Sequence, residues 1–93
     1  LHLHHHPLNN LTLLAEYYFY LFAHSPKYGK ESGRALKALL ADGVTTGDGA
    51  CKMNLERLRN EEDPRLNLLE AVAQTLADGD TSRLDAFEEW RDL

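Results

Sequence analysis

Residues 13–24 read LLAEYYFYLFAH, and this stretch decides the fold of the chain. Glu16 is its only fully charged residue, and Leu8, Leu11 and Thr12 extend the apolar character toward the N-terminus. A run of this length without proline or glycine predicts a helix over residues 8–23. A surface helix of a small protein usually has one apolar stripe and one polar face. Because this helix is apolar almost all round, something must cover its second side.

At about 100° per residue, the apolar side chains of this helix fall on two faces. The face predicted to pack against the core consists of Leu11, Leu14, Ala15, Tyr18, Leu21 and Phe22. The second face, which we call the tyrosine face, consists of Leu13, Tyr17, Tyr20 and His24. Two hypotheses account for it: either the other helices enclose this one, or the tyrosine face is exposed in one protomer and buried by a partner. Tyrosine, which joins a large apolar body to a polar tip, is typical of interfaces.

The remaining sequence also predicts helices. Sustained alternation of apolar and polar residues is missing, and β-branched residues are few. Glycine, proline and capping residues predict where four further helices begin and end. Helix 2 begins at Ser25 or Lys30 and ends at residue 41, and helix 3 covers residues 50–60. Helix 4 covers residues 64–77 after Asp63, and helix 5 runs from Thr81 or Ser82 to the end. The chain is therefore predicted to be all-α, a small irregular (orthogonal) bundle of four to five short helices. Residues 1–7 form a histidine-rich tail, and residues 8–93 form a single helical domain.

Helical periodicity also predicts the rest of the core. The residues assigned to it are Tyr28, Ala35, Leu36 and Leu39 of helix 2, Cys51, Leu55 and Leu58 of helix 3, Leu66, Leu69, Val72, Ala73 and Leu76 of helix 4, and Leu84, Phe87 and Trp90 of helix 5.

Composition narrows the class of protein. Residues 56–93 carry five basic and eleven acidic residues, whereas residues 1–55 are nearly balanced, which argues against a protein that wraps DNA with its whole surface. A single cysteine excludes an intramolecular disulfide and is compatible with a reducing cytoplasm, the predicted location. The apolar run of helix 1 is too short to span a bilayer and lacks a signal-peptide cleavage site.

Three stretches resemble chemical sites only weakly. His2, His4, His5 and His6 offer imidazoles, but no cysteine or carboxylate stands at metal-ligand spacing, so metal binding there is expected to be incidental. Cys51 lies near a helix start, which would activate a thiol, yet it falls on the apolar stripe of helix 3 and is expected to pack in the core. The loop DGVTTGDGACK matches neither the phosphate-binding loop nor the EF-hand.

Helix 2 carries a basic stripe at i, i+3, i+7 and i+10, formed by Lys27, Lys30, Arg34 and Lys37. Such a stripe can follow phosphates, but it has no interleaved aromatic residues and more often serves solubility. Nucleic-acid or anion binding through the stripe is the alternative function.

The leading expectation is a non-enzymatic module that binds another protein, or a second copy of itself, through the tyrosine face. Its small size and acidic charge suit an adaptor, inhibitor, immunity or antitoxin-like regulator, which is a statement about size class alone. No cofactor, membrane or metal is expected.

Overall fold

A computed structural model describes residues 2–47, 51, 55–60, 62 and 64–93 of the chain. In these residues all regular secondary structure is helical, which confirms the all-α prediction. The α-helices are α1 (His2–His24), α2 (Gly29–Ala41), α3 (Leu55–Asn60), α4 (Leu66–Asp78) and α5 (Glu88–Arg91), and a 3-10 helix (Thr81–Ala86) precedes α5. They pack into one small compact bundle.

The core lies between α1, α2 and α4, and the short helices close it. Its buried apolar side chains are Ala15, Phe19, Phe22 and Ala23 of α1, Leu36 and Leu40 of α2, Val44, Cys51 and Leu55 of the following segment, Leu68, Leu69, Val72, Ala73 and Leu76 of α4, and Leu84 and Trp90 near the C-terminus. The periodicity of helices 2 to 5 therefore predicted much of the core. Leu39, Leu66 and Phe87 are partly buried and pack against this core, and Ala35 is partly buried. Tyr28 is exposed, contrary to the prediction, and Leu58 lies outside the described side chains.

The orientation of α1 differs from the prediction. Phe19, which was assigned to neither face, is fully buried, whereas Leu11 and Leu14 of the predicted core face are exposed. The buried side is centred between Ala15 and Phe19, about 80° around the helix from the predicted centre. An almost uniformly apolar helix gives little information about which side faces the core, so packing determines that side. The helix also begins at His2 rather than at residue 8.

Helices α1 and α2 approach each other closely and form the most extensive contact between two helices in the described part of the chain. Gly29 and Gly33 stand one turn apart on the buried side of α2. A Cβ atom at Gly33 would lie 2.7 and 2.9 Å from the Cδ1 and Cε1 atoms of Phe22, well inside normal contact distance. Gly33 therefore lets the Phe22 ring lie directly against the backbone of α2.

The helix ends agree with the predictions better than the helix starts do. Gly43 and Gly79 both adopt the left-handed conformation after a helix, as predicted. Helix α2 begins at Gly29, because Ser25 to Tyr28 form a separate turn in which the Ser25 Oγ accepts a hydrogen bond from the Tyr28 backbone N–H at 2.9 Å. Helices α3 and α4 begin later than predicted, at Leu55 and Leu66. Ala50 and Asp63, the predicted start and cap, lie outside the described residues.

The predicted helix 5 is not continuous. The Asp80 side chain accepts a hydrogen bond from the Ser82 backbone N–H at 3.1 Å and starts the 3-10 helix. Phe87 then adopts an extended conformation before α5 begins. In one unbroken α-helix, Leu84 and Trp90 would project about 120° apart. The break at Phe87 allows both side chains to be buried.

Candidate protein-interaction surface

The tyrosine face lies on the side of α1 opposite the core. Leu13 is 63% exposed, Tyr17 57% and Tyr20 48%, whereas His24 is partly exposed. The hypothesis that the other helices enclose α1 is therefore wrong for this side. The four side chains project within about 60° of one another and form a continuous stripe along three turns.

The tyrosine face ends in an aromatic pair, and two further leucines are exposed elsewhere on α1. The rings of Tyr20 and His24 lie 4.9 Å apart between centroids, inclined at 52°. Leu11 and Leu14, exposed to 38% and 36%, project about 150° and 90° around the helix from the centre of the tyrosine face and are not part of it. Helical periodicity predicted that both leucines lie in the core. Once Phe19 is known to be buried, the rotation of the helix moves them toward solvent.

The C-terminal end of α1 is held in place by Arg65, a residue to which the sequence analysis assigned no role. Its guanidinium donates hydrogen bonds to the carbonyl oxygens of Phe22 at 3.0 Å and Ala23 at 2.9 Å. The same group lies 5.3 Å from the centre of the Phe22 ring and 3.6 Å from a Glu89 carboxylate oxygen. A cation at the last carbonyl groups of a helix satisfies them and opposes the negative end of the helix dipole. Arg65 thus fixes the end of α1 that carries Tyr20 and His24.

The basic stripe of α2 is divided between solvent and internal contacts. Lys30 and Arg34 are exposed. The Lys37 Nζ donates to the carbonyl oxygens of Trp90 at 3.1 Å and Arg91 at 3.4 Å, at the end of α5. Lys37 therefore contributes to the packing of the C-terminus. Fewer of the stripe's positive charges are available to bind a ligand than their spacing suggests.

Lys27, the first residue of the stripe, contacts an aromatic ring. Its Nζ lies 5.2 Å from the centre of the Tyr28 ring. This separation is within the range of a cation–π interaction.

Cys51 is buried, as expected for a core residue. Burial raises the pKa of its thiol to about 11. Because the thiolate is the nucleophile, this environment does not favour a reactive thiol.

The described side chains offer no group of three or more histidine, cysteine or acidic residues that could hold a metal ion. His2, His4, His5 and His6 lie outside the described side chains, so the expectation of incidental metal binding there stays a prediction. Among the described helices, none combines the length and apolar character needed to cross a membrane.

No family model matches this chain, and comparison with curated proteins and with solved structures gives no significant match.

Proposed function

We propose that this protein is a non-enzymatic helical interaction module that binds protein through the tyrosine face of α1. The observation that carries the proposal is the exposure of Leu13, Tyr17 and Tyr20 in a chain whose core is already complete on the opposite side of the helix. A contiguous apolar patch of this kind in a small protein marks an interaction site. Tyrosine is also among the residues that most often dominate binding energy.

A second copy of the chain is the occupant that we propose, and the charge of the face permits it. In an isologous dimer the same surface meets itself, so a like-charged patch would repel its copy. Leu13, Tyr17 and Tyr20 carry no charge, although the chain as a whole has a formal charge of −5. We therefore propose that two copies of α1 pack against each other along this face. A different protein with a complementary apolar helix is the other occupant that the experiment below distinguishes.

The proposed role is that of a cytoplasmic regulator, of the adaptor, inhibitor, immunity or antitoxin type, that acts by occupying a surface. Nucleic-acid or anion binding through the basic stripe is less well supported because Lys37 is held by backbone carbonyl groups.

Sedimentation equilibrium combined with thermal melting tests the proposal. We expect the wild type to dimerise and the double variant Tyr17→Ser/Tyr20→Ser to be monomeric and still folded, because exposed substitutions usually change stability by less than about 0.5 kcal/mol. The dissociation constant should rise about thirtyfold or more, which corresponds to the roughly 2 kcal/mol lost with a tyrosine anchor.

Tyr20→Ser and Tyr28→Ser form the matched pair of single variants. Both side chains are 48% exposed, but Tyr20 belongs to the tyrosine face and Tyr28 lies in the turn before α2. Tyr20→Ser should weaken association, and Tyr28→Ser should leave it unchanged. An unfolded double variant from a monomeric wild type would refute the interaction surface itself. A folded wild type that stays monomeric at millimolar concentration would refute the second copy as the occupant.

A further inference from the structure

A cleft of about 340 Å³ lies between α1 and α2, beside the tyrosine face. Its walls include the aromatic side chains of Tyr17, Tyr18 and Tyr28, together with Leu21 and Glu31. The ring centroids of Tyr17 and Tyr18 lie 6.3 Å apart, inclined at 39° to each other. The cleft therefore combines several aromatic rings with a carboxylate in a small volume.

The electrostatic character of the cleft favours a cation. Glu31 is the only charged residue among the described residues that line it, and its carboxylate makes no ion pair with a described residue. Aromatic ring faces carry negative charge density and attract cations. The Tyr28 ring already does so within the protein, since the Lys27 ammonium lies 5.2 Å from its centre.

The walls suit a methylated ammonium group better than a primary one. A primary ammonium donates three hydrogen bonds and is strongly hydrated, so it needs several acceptors to replace its water. The aliphatic side chains of Leu21 and Ala35 line the cleft with the tyrosine rings and pack against methyl groups instead, and Ser32, which also lines it, is largely buried. We propose that this cleft binds the quaternary ammonium group of a small organic cation, with the tyrosine rings around its methyl groups and Glu31 neutralising its charge. This activity differs from association through the tyrosine face, although Tyr17 belongs to both surfaces.

Titration with choline, followed by the NMR signals of the tyrosine rings, tests the proposal. We expect saturable shifts of the Tyr17, Tyr18 and Tyr28 signals. The uncharged analogue 3,3-dimethyl-1-butanol has the same shape, so it separates recognition of charge from filling of an apolar space. It should bind about fivefold more weakly or not measurably, which is the effect expected for a cation–π contact of roughly 1 kcal/mol at an exposed site.

Three substitutions assign the binding to this cleft. Glu31→Gln should weaken choline binding about fivefold by removing the opposing charge while keeping the shape. Tyr28→Leu should weaken it by a similar factor, because an aliphatic side chain has no quadrupole. Lys27→Gln should strengthen it, because the competing ammonium is removed. Tyr20→Ser, which is expected to disrupt association, lies outside the cleft and should not weaken choline binding, so the two proposals can fail independently.

Equal binding of choline and its uncharged analogue would overturn the proposal, as would a Glu31→Gln variant with wild-type affinity. Binding to phosphatidylcholine vesicles separates a lipid headgroup from a free cation. Vesicle binding that choline does not displace, together with an absence of choline-induced shifts, would also refute the cleft as a free-cation site.

Discussion

Replacing Gly33 with alanine tests whether the contact between α1 and α2 depends on the missing side chain. The new methyl group would lie 2.7 Å from the Cδ1 atom of Phe22 and 2.9 Å from Cε1. The ring cannot move aside without disturbing its neighbours. The Arg65 guanidinium lies 5.3 Å from the ring centre, and Trp90 meets the ring edge-on at 5.8 Å.

The expected loss of stability is the difference between two opposing effects. An extra methyl group in a well-packed core costs about 1–3 kcal/mol, whereas alanine in place of glycine within a helix gains about 1 kcal/mol. We therefore expect Gly33→Ala to reduce the free energy of unfolding by up to about 2 kcal/mol. For a chain of this size, that lowers the melting temperature by up to roughly 16 °C. Urea denaturation followed by circular dichroism measures the first quantity, and thermal melting the second.

Gly29→Ala is the matched control on the same helix. A Cβ atom there would lie 3.4 Å from the carbonyl oxygens of Leu21 and Phe22, which is ordinary contact. Without the clash only the gain from alanine remains, so this variant should be as stable as the wild type or up to about 1 kcal/mol more stable. In a Phe22→Leu background the penalty for Gly33→Ala should largely disappear, because the clashing ring atoms are gone. A Gly33→Ala variant as stable as Gly29→Ala would refute the reasoning, since it would show that α1 and α2 do not need this close approach.

Three further predictions concern the thiol, an acidic group and the basic stripe. Because burial raises the pKa of Cys51 to about 11, a thiol reagent should label it slowly near pH 8 in the folded protein and rapidly in denaturant. Cys51→Ser should lower the free energy of unfolding by about 1–3 kcal/mol. Rapid labelling of the folded chain would contradict this prediction. The Arg83 guanidinium, which binds Asp78 through contacts of 2.9 and 2.6 Å, holds the pKa of that carboxyl far below its usual 3.8. The stabilisation is complete above this usual value and is lost progressively as the pH falls toward the lowered pKa of the folded state. The melting temperatures of the wild type and Asp78→Asn should therefore approach each other as the pH falls below about 4; a constant difference would argue against it. We expect no retention of the wild type on DNA or RNA at physiological salt, and salt-sensitive retention that Lys30→Glu/Arg34→Glu abolishes would instead favour the basic stripe as the functional surface.

Local sequence signals predicted the structure correctly at positions where a residue type has one strong conformational preference. Gly43 and Gly79 marked the ends of α2 and α4 because glycine accepts the left-handed conformation without steric cost. The same signals misplaced the C-terminal helix. The hydrogen bond from Ser82 to Asp80 and the burial of both Leu84 and Trp90 favour a break at Phe87 that no capping pattern indicated.

The candidate interaction surface was also predictable from the sequence only in part. The spacing of Leu13, Tyr17 and Tyr20 predicted a second apolar stripe, and their exposure in the folded chain agrees with the condition that an interaction face requires. The role of Arg65 was not predictable from its position. It acts on the carbonyl groups of Phe22 and Ala23, more than forty residues earlier in the chain, and only the folded structure brings them together.

The sequence by itself determined that the chain is helical, approximately where its helices end, and that α1 has more apolar surface than one core face requires. Tertiary structure decided which side of α1 that surplus occupies. Apolar residues surround the helix almost evenly, so the hydrophobic effect, which has no direction of its own, favours several rotations nearly equally. The packed structure buries Phe19 together with Phe22, whose ring lies against the backbone at Gly33, and the tyrosine face is then left in solvent.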